Sequence, residues 1–242
     1  MPRFCPERCD NRAVSGGWET MWPAFAQAYE ELVVPGPLAM ETELRQELLF
    51  CLLGGHGITF EMSCSALQAV AELDVFDAGQ EHDALHDELV ALLSDRRYEP
   101  PRADGTLRRY RFPRRKAALI SQARNWVLAA GSLSDQLSAR PSERERRSWL
   151  VGCPGLGPKS ASWMLRNTGW ASELAILDVH VLRAMTEAGV IAEVRLPADY
   201  ETVERRFLDW CDRLDAAPGV FDLFLWEWHR GTLLPREAGA AL

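Results

Sequence analysis

Apolar residues recur three and four apart in one stretch after another along this chain, with glycine or proline between the stretches. That spacing predicts helices with one buried face. Residues 18–33 place Trp22, Phe25, Ala26 and Tyr29 on one side, and Pro35, Gly36 and Pro37 end the pattern. Residues 44–53 are too apolar for a surface helix, so they are expected at the centre, closed by Gly54, Gly55, His56 and Gly57. Further helices are predicted over 63–73, 83–93, 116–130 and 142–150. Residues 94–113, rich in Arg, Pro and Gly, read as a loop. Pro158 opens a helix that runs to Asn167, with Gly169 as its stop. Asp178 is expected to cap a helix over 179–188, closed by Gly189. Pro197 to Asp199 open another, to residue 214, and Pro218-Gly219 precede a last one, to residue 230. Residues 1–17 read as a loose arm. Period-2 alternation is almost absent, and so are internal repeats, so the predicted fold is all-α.

The most informative stretch is Leu150-Val-Gly-Cys-Pro-Gly-Leu-Gly-Pro-Lys159. Gly155 and Gly157 bracket Leu156, and glycine permits a tight turn and close backbone approach. The turn opens directly into a helix, whose unpaired N–H groups suit a phosphate. Lys159 stands in the first turn. A solvated surface lysine is the ordinary reading of such a residue. Composition weighs against it, because the chain has only two lysines, Lys116 and Lys159, among 27 basic side chains. Arginine remains protonated and cannot serve as an amine nucleophile.

Composition and charge narrow the classes. The 242 residues are 47% hydrophobic, enough for a core, yet no apolar run reaches the ~18 residues of a membrane span. The start, Met-Pro-Arg-Phe-Cys-Pro-Glu, lacks a signal-like apolar segment, so a cytoplasmic protein is expected. Six cysteines are scattered, and Cys51, Cys64 and Cys153 read as small buried hydrophobes. Cys5 and Cys9 lack partner ligands for a metal. The net charge of −8 argues against nucleic acid until its distribution is considered. Residues 96–116 hold nine cations (Arg96, Arg97, Arg102, Arg108, Arg109, Arg111, Arg114, Arg115, Lys116) against two carboxylates, Glu99 and Asp104. Such a run is either a solvated face or a phosphate-contacting patch.

Pro154-Gly-Leu-Gly-Pro-Lys159, with Asp178 nineteen residues after the lysine in Ile-Leu-Asp-Val-His, resembles the helix-hairpin-helix DNA glycosylase superfamily. More narrowly, the chain is similar to the archaeal-type 8-oxoguanine DNA glycosylases with lyase activity. Glu47-Leu-Leu-Phe-Cys-Leu-Leu53, Arg111-Phe-Pro-Arg-Arg-Lys-Ala117, Trp163-Met-Leu-Arg-Asn167 and Asp222-Leu-Phe-Leu-Trp226 carry that narrower likeness, which extends over about residues 40–233. The resemblance implies two helical lobes with the base held in a cleft between them. Residues 40–168 form a lobe containing the hairpin (about 146–167). Residues 169–242 form the lobe carrying Asp178, and residues 1–39 pack with it. The implied partner is double-stranded DNA with a flipped modified base, and the protein is expected to act as a nucleoid-associated monomer.

The same resemblance implies roles. Lys159 attacks C1′ and forms a Schiff base, while Asp178 accepts a proton and places negative charge beside the sugar cation. Attack requires a neutral amine, whereas a free lysine with pKa ~10.4 is protonated at neutral pH, so desolvation is required. Trp163, Asp222 and Trp226 hold the extruded purine; core packing is the plain alternative for the tryptophans and helix-start charge matching for Asp222. Gly155, Gly157, Arg111, Arg114 and Arg115 contact phosphates. Carbonyls of Val151, Cys153 and Leu156 match those that hold a Na⁺ or K⁺ in relatives. No iron–sulfur cluster is expected, since only Cys211 follows Asp178. His56, His180 and His229 read as structural. The chain departs from its relatives in continuing from Leu233 to Leu242 and in the length of its arginine loop, which leaves the excised base open. Another modified base, or a non-catalytic DNA-binding module, are the alternatives.

Overall fold

The computed structural model describes residues 18–30, 37–38, 40–55, 57–192 and 198–230. The chain divides into two compact units, one of Pro35–Ala171 and one of Met1–Val34 with Ser172–Leu242. Among the described residues the fold is all-α apart from one small β-ribbon. No described helix is long and apolar enough to cross a membrane. The arm of residues 1–17, residues 31–36, Cys5, Cys9, His56, Pro197 and the C-terminal extension lie outside the described residues, as does the side chain of Tyr29.

In the larger unit, α2 (Glu41–Leu53) is the central helix. Leu44 and every residue from Glu47 to Leu53 are buried. The helix also begins a turn earlier than its apolar run. Around it stand α3 (Phe60–Val70), α4 (His82–Ser94), α5 (Pro113–Ala130), α6 (Leu133–Ser138), α7 (Glu143–Val151) and α8 (Pro158–Asn167). Truncating Leu48, which is wholly buried, removes contacts of a kind that costs ~2–5 kcal/mol. Two caps explain helix starts that apolar spacing alone leaves vague. Thr59 accepts from Met62 N–H and draws the start of α3 forward to Phe60. Ser142 and Glu145 form a reciprocal capping box on α7. The short α6 carries too few apolar positions to register in the sequence pattern.

The stretch over 94–113 is not a simple loop. Arg96–Tyr98 (β1) and Arg108–Arg109 (β2) pair antiparallel, with Arg96 opposite Arg109 and Tyr98 opposite Arg108. Strands of three and two residues are too short to show alternation. Tyr98 is fully buried and its hydroxyl donates to Leu92 O at 2.7 Å, which ties the ribbon to the end of α4.

Lys116 also departs from expectation. It does not join a phosphate-contacting patch. Its Nζ donates to the carbonyls of Leu52 and Gly54, and the Tyr110 hydroxyl donates to that of Leu53. The last carbonyls of a helix have no intrahelical partner, so these side chains finish α2. Burial, then the neighbouring Arg115 charge, lowers the Lys116 ammonium to about 8. A lysine lowered in the folded state binds fewer protons there than in the unfolded chain, so stability rises as pH climbs from about 8 towards 10.5. Lys116→Met is expected to flatten that rise and to destabilise at neutral pH, because buried carbonyls left bare cost ~1–3 kcal/mol each. Thermal melts from pH 7 to 10 check both effects.

The smaller unit packs α1 (Trp18–Glu30) against α11 (Pro218–Arg230), with α9 (Val179–Glu187) and α10 (Tyr200–Arg213). Its core is aromatic. Trp22 meets Phe221 edge-on at 4.9 Å and Phe224 at 5.4 Å, while Trp210 meets Phe221 at 4.9 Å. Such pairs add ~0.5–1.5 kcal/mol each beyond the area they bury. Cys51, Cys153 and Cys211 are buried, whereas Cys64 is only partly so, because α3 turns its far face towards solvent.

Candidate functional site

The hairpin in the larger unit runs from the end of α7 through Gly152 to Gly157 and into α8. Cys153 N–H donates to Leu150 O, and Leu156 N–H to Cys153 O at 3.1 Å. The two glycines do different work. Gly155 has φ +92°, and a Cβ there would lie 2.7 Å from the buried Leu52 side chain, so both conformation and space require glycine. Gly157 is extended (φ −100°, ψ 177°), and a Cβ there would meet nothing. Both residues are exposed. Gly155→Ala is therefore expected to destabilise the unit by at least ~1–2 kcal/mol, while Gly157→Ala costs only the ~0.5–1 kcal/mol of a poorer N-cap. Any loss of DNA affinity in Gly157→Ala then reports the backbone's approach to a ligand.

Lys159 occupies the second position of α8, half-buried, and Trp163 follows one turn later. The Lys159 ammonium lies over the Trp163 ring, 4.3 Å from its centroid. A cation over an indole face is held by ~0.5–2 kcal/mol, which folds the lysine back along its own helix. Trp163 in turn meets Phe50 of α2 edge-on at 5.3 Å, and a Cβ at Gly54 would lie 3.4 Å from its ring. The Gly54 carbonyl is one that Lys116 holds, so both lysines of the chain act around the same turn. Trp163 is thus partly a packing residue, as its plain alternative supposed, and also the floor beneath the amine. Beneath α8, buried Glu47 accepts from Asn167 Nδ2 at 2.7 Å and pins the helix's far end to α2. Burial raises the Glu47 carboxyl, against the hydrogen bonds from Asn167 and Cys51. No sequence pattern pointed to Glu47 or Lys116 as supports, because their partners lie 120 and more than 60 residues away.

The basic run separates by partner. Arg97 pairs with Asp95, and Lys116 points inward. Arg111 Nη1 donates to Gly57 O at 3.2 Å and its guanidinium lies over Phe112. Arg114 and Arg115 are exposed in the first turn of α5.

In the smaller unit Asp178 is the N-cap of α9, as predicted. Its Oδ1 accepts from the N–H groups of His180 and Val181, both at 2.9 Å. The cap uses one oxygen. Among the described residues, Oδ2 has no hydrogen-bond partner. The next residue, Val179, is 71% exposed, so the apolar start of α9 faces outward beside the carboxylate. Asp222, buried in α11, accepts from Ile176 N–H at 3.3 Å, two residues before Asp178. It thereby supports the segment that presents Asp178. Trp226 lies half-buried, with the Arg230 guanidinium 4.4 Å from its ring centroid. His180 and His229 stack at 6.0 Å, a pairing that 49 residues of separation hid from the sequence. Burial lowers His229 from its ordinary value. Among the described residues, no group of three His, Cys, Asp or Glu side chains is placed to hold a metal.

Comparison with known proteins bears on the family and the fold. Residues 102–216 match the family described as 8-oxoguanine DNA glycosylase. The chain is 30% identical over 198 residues to an 8-oxoguanine DNA glycosylase/AP lyase of Korarchaeum cryptofilum, covering 80% of this chain and 83% of that one. Relatives of the same description from Fusobacterium nucleatum and Thermotoga petrophila are 30% and 36% identical, but the chain spans only 59% and 58% of their lengths. The fold is shared with the 8-oxoguanine DNA glycosylase of Thermotoga maritima (TM-score 0.59, 27% identity, 87% of each chain). It is also shared with the Methanocaldococcus jannaschii 8-oxoguanine glycosylase/lyase solved with a 15mer DNA containing 8-oxoguanine (TM-score 0.62, 22% identity, 87% and 88% covered). The match to the Korarchaeum cryptofilum relative, which covers more than three quarters of both chains, places this chain in the 8-oxoguanine DNA glycosylase/AP lyase family.

Proposed function

We propose that the protein excises 8-oxoguanine from double-stranded DNA and cleaves the strand at the resulting site. The observation that carries this reading is the Lys159 amine in the first turn after a glycine hairpin, in a chain with only one other lysine. The neutral amine forms a bond to C1′ as the C1′–N9 bond breaks, and the base leaves with that electron pair and a proton. Opening of the sugar ring gives a protonated imine. Loss of a C2′ proton then expels the 3′-phosphate by β-elimination, and water releases the lysine. Asp178 Oδ2 accepts the amine proton and offsets the positive charge that develops at C1′. Trp163, Asp222 and Trp226 hold the flipped purine.

Gly155 and Gly157 direct backbone N–H groups to a phosphate, and Arg111, Arg114 and Arg115 contact other phosphates of the DNA. Carbonyl oxygens are hard donors, and those of Val151, Cys153 (which also accepts from Leu156 N–H) and Leu156 would hold a Na⁺ or K⁺ at the hairpin. The protein acts as a monomer. Duplexes bearing 8-oxoguanine and a panel of other modified purines and pyrimidines test the substrate. Free 8-oxoguanine with strand scission is the expected product. Release confined to another base, or no release from any, overturns the reading.

A further inference from the structure

The arginine hairpin builds a concavity of which the reading above uses only Arg111. Its volume is about 320 Å³, and Arg102, Arg108, Arg109 and Arg111 line it, with Thr59 and Met62 at the start of α3. Among the described residues none of these four guanidiniums forms an ion pair. Asp95 pairs with Arg97 and Asp104 accepts from the N–H and hydroxyl of Thr106, so the fields of Arg109 and Arg102 reach these two acids without an ion pair forming. Gly57 makes room for one of the four, since a Cβ there would lie 1.7 Å from Arg111 Nη1. Four cations without an ion-pair partner, gathered in one hollow on a chain of net charge −8, favour an anion there. The guanidinium fork matches phosphate oxygens in pairs. The volume sits at the lower end of the ~300–1,000 Å³ of small-ligand sites, which admits a phosphate and part of its sugar.

The position of the hollow names the polymer. Thr59 on its wall precedes Phe60, which meets Phe50 edge-on at 5.8 Å. Phe50 meets Trp163 at 5.3 Å, and Trp163 carries Lys159. A wall of three rings thus joins the arginine hollow to the amine within one compact unit. We propose that the hollow is a seat for a backbone phosphodiester of the DNA strand, a few nucleotides from the target nucleotide and apart from the hairpin contacts. The proposal rests on the DNA reading above. The seat fixes the register of the strand, while Lys159 supplies the chemistry.

The test is a coupling cycle. Single phosphates on either side of an 8-oxoguanine are replaced in turn by neutral methylphosphonates. Each duplex is then titrated with the wild type and with the triple variant Arg102→Gln, Arg108→Gln, Arg109→Gln. The wild type is expected to lose about tenfold in affinity at one or two particular phosphates, and the variant to lose nothing further there. The salt dependence of binding should fall by about one unit of log–log slope for each phosphate lost. All three side chains are exposed, so the melting temperature should hold. Should the glutamine variant fold poorly, the lysine triple keeps the charge without the fork and is expected to weaken the coupling at the same positions. A uniform loss with no coupled position makes the run a diffuse patch and overturns the seat, as does unchanged affinity. Borohydride trapping at saturating DNA separates the two claims. It should be unaltered in the triple variant, and its absence from the wild type would sink the lyase reading while the binding cycle still decides the seat.

Discussion

Lys159→Gln is expected to abolish borohydride trapping on an 8-oxoguanine duplex and to lower strand cleavage by more than about 10³-fold, the scale on which loss of a covalent nucleophile registers. Glutamine has nearly the length of lysine but no amine, so no imine forms. The variant also removes the cation from the Trp163 face, so a loss of binding has to be told apart from a loss of chemistry. Lys159→Arg separates the two effects. Arginine keeps the charge and stacks on an indole face, yet it cannot attack carbon at neutral pH. DNA affinity in Lys159→Arg should stay within a few-fold of the wild type, with trapping absent. Trapping that persists in either variant would assign the Schiff base to another amine. Lys116 is the remaining lysine, and its Nζ is committed to the carbonyls of Leu52 and Gly54.

The hairpin was legible in the sequence because its constraints are local. A glycine pair, a proline at a helix start and a lysine in the first turn all act within ten residues, and α8 runs over the predicted positions. The cap at Asp178 was legible for the same reason, its bonds reaching only two and three residues ahead. What lay hidden depends on distant partners. The run from Arg96 to Lys116 reads as one block of charge. In the fold it divides into an ion pair at Arg97, a hollow shared by four arginines, and a lysine turned inward to finish α2. Which way Lys116 points is decided by the carbonyls of a helix more than 60 residues earlier, and no periodicity encodes that. The link from Asp222 to Ile176 is of the same type, with 46 residues between its partners.

Asp178 carries two duties, and two substitutions pull them apart. Asparagine caps a helix about as well as aspartate, whereas alanine forfeits ~0.5–2 kcal/mol. Asp178→Ala is therefore expected to melt several degrees low, and Asp178→Asn close to the wild type. The chemical duty follows the opposite comparison. An amide oxygen can accept from His180 and Val181, as Oδ1 does, but the amide in place of Oδ2 carries no charge and takes up no proton. Both variants should lose base excision by about 10²–10⁴-fold, the usual range for a positioned acid–base group. The informative quantity is the contrast between them. Were the aspartate only a cap, excision would track stability, and Asp178→Asn would remain nearly as active as the wild type. A stable, DNA-binding but inactive Asp178→Asn places the lost function on the second oxygen, which the cap leaves unused.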